Sequence, residues 1–309
     1  MSSITAARMS YAAALVASVT FGIYVTLAAY TAARVIKSPL RHRAGKKVLL
    51  AWISATFAVQ MIYYVGGSKW SEIEFVESAV DPGVFASQLS SRLAILKDTS
   101  YTVIIWLADG FILYRGVAIY ADKLYVVLLP ALLYLASIAT GIGLLVETAK
   151  PGAVFGEATV IDFGTPFWSL SVSMNVLTTL LIAGRLIYRR RALLDSTSKN
   201  KPSAYYGPEV AIFLESAALY AICSIIYIPM FAKNIPLQFP FSALLGAAAS
   251  IAPHFIILRM VSGESSRLEA SVIPLQSRGG GDTEVAMNVS HAQAEGLDSP
   301  DGDSSVHKV

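Results

Sequence analysis

A single carboxylate, Asp109, lies in the middle of the apolar stretch 103–113, which otherwise consists of residues that dissolve readily in lipid. A charged side chain in a membrane interior is costly and is usually retained for a partner or a task. On a helix, Asp109 shares one stripe with Thr102, Trp106 and Gly116. Because that stripe carries small and polar residues, we expect it to face other helices and not lipid.

Three further polar residues fall inside later apolar runs and are candidate partners. Glu215 and His254 lie in the inner halves of the sixth and seventh runs, at about the depth of Asp109. Asp109, Glu215 and His254 together could form one intramembrane cluster that shares a proton or an ion pair. The cluster is either a structural tie between helices three, six and seven, or a proton-coupled gate or ligand-reporting switch. Asn175, near the middle of the fifth run, is expected to make an interhelical hydrogen bond.

Arg115 follows Tyr114 at the inner end of the third run. An aromatic residue next to a base is typical of a helix end at the membrane boundary. Arg115 also resembles, by position alone, the arginine with which many receptors contact a G protein. We therefore take Arg115 as a helix-end candidate.

Other chemistry is not indicated by the sequence. One cysteine, Cys223, allows neither an intramolecular disulfide nor a cysteine cluster, and the four histidines lack metal-ligand spacing. We find no Ser-His-Asp pattern, no His-Glu-x-x-His and no glycine-rich phosphate loop. The seventh run has no lysine to hold retinal. We expect no enzyme activity, no cofactor, no metal and no nucleic-acid partner.

The composition defines the elements that must position these residues. The chain has 309 residues, of which 55% are hydrophobic and 15% charged, whereas soluble domains average about 25% charged. The charges lie in islands between apolar runs of about 20 residues, which is the length that crosses a bilayer. The sequence predicts an all-α membrane protein, a seven-transmembrane-helix bundle over residues 1–261. The spans are expected at about 9–35, 48–65, 98–120, 124–146, 164–188, 208–231 and 237–260.

The links between the runs predict the orientation. The link 37–47 has five Lys or Arg and no acid, and Arg189, Arg190 and Arg191 follow the fifth run, whereas the links 66–97 and 147–163 are acidic. Basic links stay in the cytoplasm. We therefore expect the N-terminus outside and the C-terminus cytoplasmic. The polar segment 262–309 lacks the apolar content to order itself and is predicted to be a disordered tail.

The partners expected from this threading are lipids. The bilayer surrounds the spans, in the plasma membrane rather than an internal one. Basic clusters next to a membrane attract anionic lipid heads. The side chains that form those clusters are Lys46, Lys47, Arg189, Arg190 and Arg191.

Small residues recur at four-residue spacing in two of the runs. Ser242, Gly246 and Ser250 form one such series, and Ser137 and Gly141 form the other. Small side chains at this spacing let another helix backbone come close. We expect tight helix packing at both places.

Four stretches of the chain resemble a large group of seven-span membrane proteins from mushroom-forming fungi. They run from Trp106 to Arg115, from Leu128 to Gly141, from Asn175 to Arg185 and from Ile251 to Arg259. The resemblance covers the seven spans and not the tail. It implies a seven-helix fold, with Asp109 and Arg115 as the residues that matter for structure or function.

Three functions follow from these observations. The threading and the Ser/Thr-containing tail favour a receptor-like protein that senses a small molecule at the cell surface. The intramembrane ionisable residues favour a small-molecule or lipid transporter. A non-catalytic membrane scaffold is the third alternative.

Overall fold

The computed structural model describes residues 3–38, 43–81, 91–150, 158–196 and 207–261. Within these ranges the side chains of 3, 43–44, 186, 189–196 and 207–219 lie outside the described part. Every regular element in the described ranges is a helix, which confirms the all-α prediction. The predicted tail, 262–309, lies outside the described residues.

The helices follow the chain with short links. Their bounds are α1 Ser3–Lys37, α2 Arg43–Glu72, α3 Arg92–Ile119, α4 Leu128–Thr148, α5 Ala158–Ser196, α6 Gly207–Ala232 and α7 Gln238–Val261. α2 continues through a π-helical turn, Ile73–Glu77, and a last turn, Ser78–Val80. α4 is preceded by a 3-10 turn, Leu124–Val127.

Among the described residues, six helices are long and apolar enough to cross a membrane. They lie at Ile4–Lys37, Gly45–Val80, Arg92–Ile119, Leu124–Thr148, Ala158–Arg185 and Gln238–Val261. Of α6, only the apolar part Tyr220–Ala232 has described side chains. A seventh span there stays a prediction.

The side chains of α4 show which surroundings suit this bundle. Its buried residues are Pro130, Ser137 and Gly141, whereas Leu132 and Leu135 are 54% and 60% exposed. In water this arrangement would leave large apolar groups solvated and bury small ones. In a bilayer it costs nothing, since lipid tails are as apolar as leucine and small residues permit close helix packing. The arrangement is therefore that of a membrane-embedded bundle.

The second helix is longer than its apolar run. The sequence predicted a span ending near Val65 and an acidic link that contains an interfacial helix at Trp70–Val80. Instead one helix passes through Gly66 and Gly67, and it ends at Val80 as predicted for the interfacial helix. Two contacts with α1 support the extension. Ser10 donates a hydrogen bond of 2.7 Å to Glu74, and the rings of Tyr11 and Phe75 meet edge to face.

α3 and α5 run parallel in a constant register. Side-chain contacts join residues 62 apart at Asp109 and Ser171, 61 apart at Tyr120 and Leu181, and 63 apart at Asp122 and Arg185. A nearly constant offset over several turns means that the two helices point the same way and advance together. The two helices therefore stay paired from Asp109 to the end of α3.

The densest core lies between α3, α5, α6 and α7. It mixes aromatic rings with alanines, and its fully buried members include Ile105, Phe167, Tyr220 and Leu245. Close packing does occur at the small residues that the sequence singled out, but the groups packed against them are aromatic rings. A Cβ at Gly246 would lie 2.6 Å from the Tyr101 ring. The missing side chain thus makes room for an aromatic ring and not for a neighbouring backbone.

Candidate functional site

Asp109 is buried in the bundle and bonded to α5. It is 1% exposed and Ser171 is 0% exposed. The Ser171 hydroxyl donates a hydrogen bond of 2.5 Å to Asp109 Oδ2. The helical stripe predicted to face the bundle does place the carboxyl group there, because α5 packs along that side of α3.

Ser171 also connects the carboxyl group to α6. Its Oγ lies 2.8 Å from the Tyr220 hydroxyl oxygen. A serine has one proton, and that proton is donated to Asp109. Tyr220 is therefore the donor to Ser171, and the chain of donation runs from Tyr220 to Ser171 to Asp109. One hydroxyl group links three helices.

Asn175 lies one turn beyond Ser171 on the same side of α5. Its side chain lies close enough to the Asp109 carboxyl group to interact with it, and it is 3% exposed. Its Oδ1 atom is buried and has no partner among the described residues. The amide therefore presents its N–H side to the carboxyl group. We call Asp109, Ser171, Asn175 and Tyr220 the Asp109 network.

No cation neutralises this carboxyl group within the described part of the chain. The ion pairs found there join other residues, and no three His, Cys, Asp or Glu side chains there are grouped to hold a metal ion. The partners of Asp109 are hydroxyl and amide groups. Such a set can stabilise a buried carboxylate by donation or hold it as a neutral acid.

His254 lies on the other side of α3. It is 0% exposed, and its Nδ1 atom is 2.9 Å from the Ser250 carbonyl oxygen. The rings of Tyr24 and Trp52 have centroids 5.2 and 5.5 Å from the imidazole centroid. Trp52 in turn contacts Phe111 of α3, at 4.6 Å between centroids. His254 thus belongs to an aromatic cluster of α1, α2, α3 and α7.

Of the predicted cluster of Asp109, Glu215 and His254, only Asp109 is found in the Asp109 network. Among the described side chains, no hydrogen bond joins Asp109 to His254, and their partners lie on opposite sides of α3. The side chain of Glu215 lies outside the described residues. A contact between all three groups therefore stays a prediction, and the α6 partner that the structure places beside Ser171 is Tyr220.

Sequence reasoning did not identify Ser171 or Tyr220. A signal for Ser171 was available, because Ser171, Asn175 and Thr178 recur at helical spacing along α5. Thr178 follows the same seam and lies against Gly116 of α3, where a Cβ would be 3.1 Å from its methyl group. Tyr220 had no such signal, since a tyrosine in an apolar run is usually part of the core.

The C-terminal end of α3 is held against α5 by a second polar contact. Arg185 forms an ion pair with Asp122 and stacks over the Tyr120 ring, 4.6 Å from its centroid. The Tyr120 hydroxyl donates to the Leu181 carbonyl oxygen at 2.8 Å. Arg115 lies near this end, partly buried, and its Nη1 has no partner among the described residues.

One of the predicted lipid-facing bases has a partner within the protein. Lys46 donates hydrogen bonds to the carbonyl oxygens of Ile36 and Ser38 at the end of α1. A cation at the C-terminus of a helix satisfies free carbonyl groups and opposes the helix dipole. The side chains of Arg189, Arg190 and Arg191 lie outside the described residues.

The apolar exteriors and the buried polar contacts define a multi-pass helical membrane protein. No protein-family model, no curated protein and no solved structure matches this chain. Function must therefore be argued from its own residues.

Proposed function

We propose that this chain is a receptor-like membrane protein in which the Asp109 network is the switch. The observation that carries the proposal is the position of Ser171, whose hydroxyl group bonds to Asp109 of α3 and Tyr220 of α6 at once. A small molecule that moves either helix must break or rearrange these bonds. Buried polar contacts with two discrete arrangements are the elements that bias such transitions.

The proposed threading has seven spans, the N-terminus outside and residues 262–309 in the cytoplasm. It is supported by the basic links 37–47 and 189–201 and by the 26-residue length of α6, which exceeds the roughly 20 residues that a span requires. Protease access to a tag at each terminus tests it in intact cells. Protection of the N-terminal tag, or cleavage of the C-terminal one, would contradict the threading.

The switch can be tested with a reporter that the chain already contains. Cys223 is the one cysteine of the sequence and lies three residues beyond Tyr220 on α6, partly buried. If the network holds α6 in place, Asp109→Asn changes the rate at which a thiol reagent modifies Cys223 in the folded protein. Glu72→Gln is the control, since Glu72 is an exposed acid paired with Lys69. Equal rates in the wild type and Asp109→Asn would remove the switch from Asp109.

A proton-coupled transporter is the second candidate, and one observation favours it. Asp109 has donors around it but no cation among the described side chains, and a carboxyl group in a membrane interior is accommodated at least cost as a neutral acid. Reconstituted vesicles containing a pH-sensitive dye distinguish the two functions. Proton flux that Asp109→Asn abolishes supports the transporter. A change in Cys223 labelling without flux supports the receptor-like switch.

A further inference from the structure

The imidazole of His254 has one nitrogen that the protein leaves without a partner. Its Nδ1 atom lies 2.9 Å from the Ser250 carbonyl oxygen. A carbonyl oxygen only accepts hydrogen bonds, so Nδ1 must carry the proton. In the neutral ring Nε2 is then a bare acceptor. This atom is buried and has no partner within the described part of the chain, and the residue is 0% exposed.

A second unpartnered polar atom lies on the neighbouring ring. Tyr24 is 1% exposed, and its hydroxyl group has no hydrogen-bond partner among the described residues. The nearby Thr56 hydroxyl donates its proton to the carbonyl oxygens of Trp52 and Ile53, both at 3.0 Å. The Tyr24 hydroxyl has a proton of its own to donate, and although Thr56 lies close to it, no hydrogen bond joins the two hydroxyl groups. The rings of Tyr24 and His254 meet edge to face, 5.2 Å apart.

The surroundings of the two atoms are aromatic. Trp52, Phe57 and Phe111 complete the cluster, through ring contacts with His254, Tyr24 and Trp52 respectively. A buried polar atom without a partner costs free energy that a bound group can recover. An internal water molecule makes about two to four hydrogen bonds, so water is the competing occupant, and a site filled by water would not respond to an added alcohol. An apolar molecule with one polar head fits an aromatic site better.

We propose that this site binds the hydroxyl group of an apolar alcohol. A hydroxyl group has one proton, which it donates to His254 Nε2, and it accepts the proton of the Tyr24 hydroxyl, so a single group satisfies both atoms. The alcohol is either lipid-borne, as in a sterol, or a free small molecule. α1 is the least buried of the candidate spans, so the Tyr24 side of the site is the one nearest to the exterior of the bundle.

Binding here would act on α3 directly. Phe111 contacts Trp52 on one side of α3, and Asp109, two residues earlier, bonds to Ser171 on the other. The binding inference itself does not rest on the proposed switch, because it follows from His254 and Tyr24 alone. A binding measurement therefore tests it separately from any change at Cys223 caused by Asp109→Asn.

The experiment measures thermal unfolding of the full-length protein in phosphatidylcholine nanodiscs. Unfolding is monitored by the reaction of Cys223 with a thiol-reactive dye as that side chain becomes exposed. Cholesterol and 1-octanol are the two probes, each compared with its own methyl ether, which has no proton to donate. At saturation we expect one alcohol to raise the unfolding midpoint by at least about 3 °C, and its ether to have no effect. A shift with cholesterol identifies a lipid-borne hydroxyl group, and a shift with octanol alone identifies a free alcohol.

Two variants separate binding from general effects of the additive. His254→Phe keeps a ring of similar size without an acceptor, and we expect it to lose the shift. His254→Gln keeps an acceptor and should retain part of it. Equal shifts with alcohol and ether, no shift with either alcohol, or an undiminished shift in His254→Phe would each overturn the proposal. If His254→Phe does not fold, the comparison of each alcohol with its ether on the wild-type protein still shows whether binding requires the hydroxyl proton.

Discussion

Ser171 and Asp109 are 62 residues apart in the chain, and their side chains are joined by a buried hydrogen bond of 2.5 Å. The bond belongs to a seam in which α3 and α5 run parallel, from Asp109 down to the ion pair of Asp122 with Arg185. Because Ser171 also accepts a hydrogen bond from Tyr220, a change at one of these groups is felt on three helices.

Removal of the Ser171 hydroxyl group is expected to be destabilising. Ser171→Ala takes one hydrogen-bond partner from Asp109 and one from Tyr220, and an unsatisfied buried group costs about 1–3 kcal/mol. Reversible unfolding in mixed micelles measures the change. Ser173→Ala is the matched control, since Ser173 is an exposed residue of α5 whose hydroxyl group bonds to its own helix. Equal effects of the two substitutions would contradict the network.

A double-mutant cycle is expected to show that Asp109 and Ser171 act together. Residues in one hydrogen-bond network have interaction free energies of about 0.5–3 kcal/mol. Asp109→Ala and Ser171→Ala combined should therefore cost less than the sum of the two single changes, because each removes the same bond. Unfolding free energies of the four proteins give the coupling. Strict additivity would show that the bond contributes nothing.

Substitution by alanine should lower the stability of the protein at one glycine, Gly141, and raise it at another, Gly184. A Cβ at Gly141 would lie 2.8 Å from the Trp106 ring and 3.1 Å from the Phe167 ring, and forcing atoms into a packed core costs about 1–3 kcal/mol. At Gly184 nothing lies within 4 Å, and alanine in a helix is favoured over glycine by roughly 0.5–1 kcal/mol. Thermal unfolding midpoints should fall for Gly141→Ala and rise for Gly184→Ala.

Tyr101 is expected to connect α3 to α7 with a measurable but modest free energy. Its hydroxyl group donates to the Ser242 carbonyl oxygen at 2.6 Å, and interhelical hydrogen bonds in membranes are worth about 0.6 kcal/mol on average. Tyr101→Phe keeps the ring and loses the bond. Tyr125→Phe is the control, because Tyr125 is 72% exposed. Unfolding free energies that do not distinguish the two would show that the bond is not formed.

Where the C-terminal end of α3 meets α5, Arg185 should contribute more to stability than Asp122. The Asp122 side chain is 58% exposed and the Arg185 side chain 11%, and exposed ion pairs contribute about 0–1 kcal/mol. Asp122→Asn should therefore change the unfolding free energy little, whereas Arg185→Leu also loses the stacking on Tyr120. A larger loss for Asp122→Asn than for Arg185→Leu would contradict this order.

Helix positions were largely readable from the sequence, because each apolar run has to match the bilayer. The sixth and seventh predicted spans differ from α6 and α7 by one residue at each end. The second span was misjudged. Gly66, Gly67 and the acids after them are typical of a link, but Ser10 and Tyr11 of α1 contact Glu74 and Phe75 and extend the helix.

The sequence by itself determined that Asp109 faces the bundle, because helical periodicity decides which side of a helix a residue lies on. It could not decide which helix meets that side. The parallel register of α3 and α5 places Ser171 and Asn175 at the carboxyl group, and the aromatic contacts place His254 with Tyr24 and Trp52 instead. Which residues meet depends on how whole helices pack against one another, and that is a property of the tertiary structure alone.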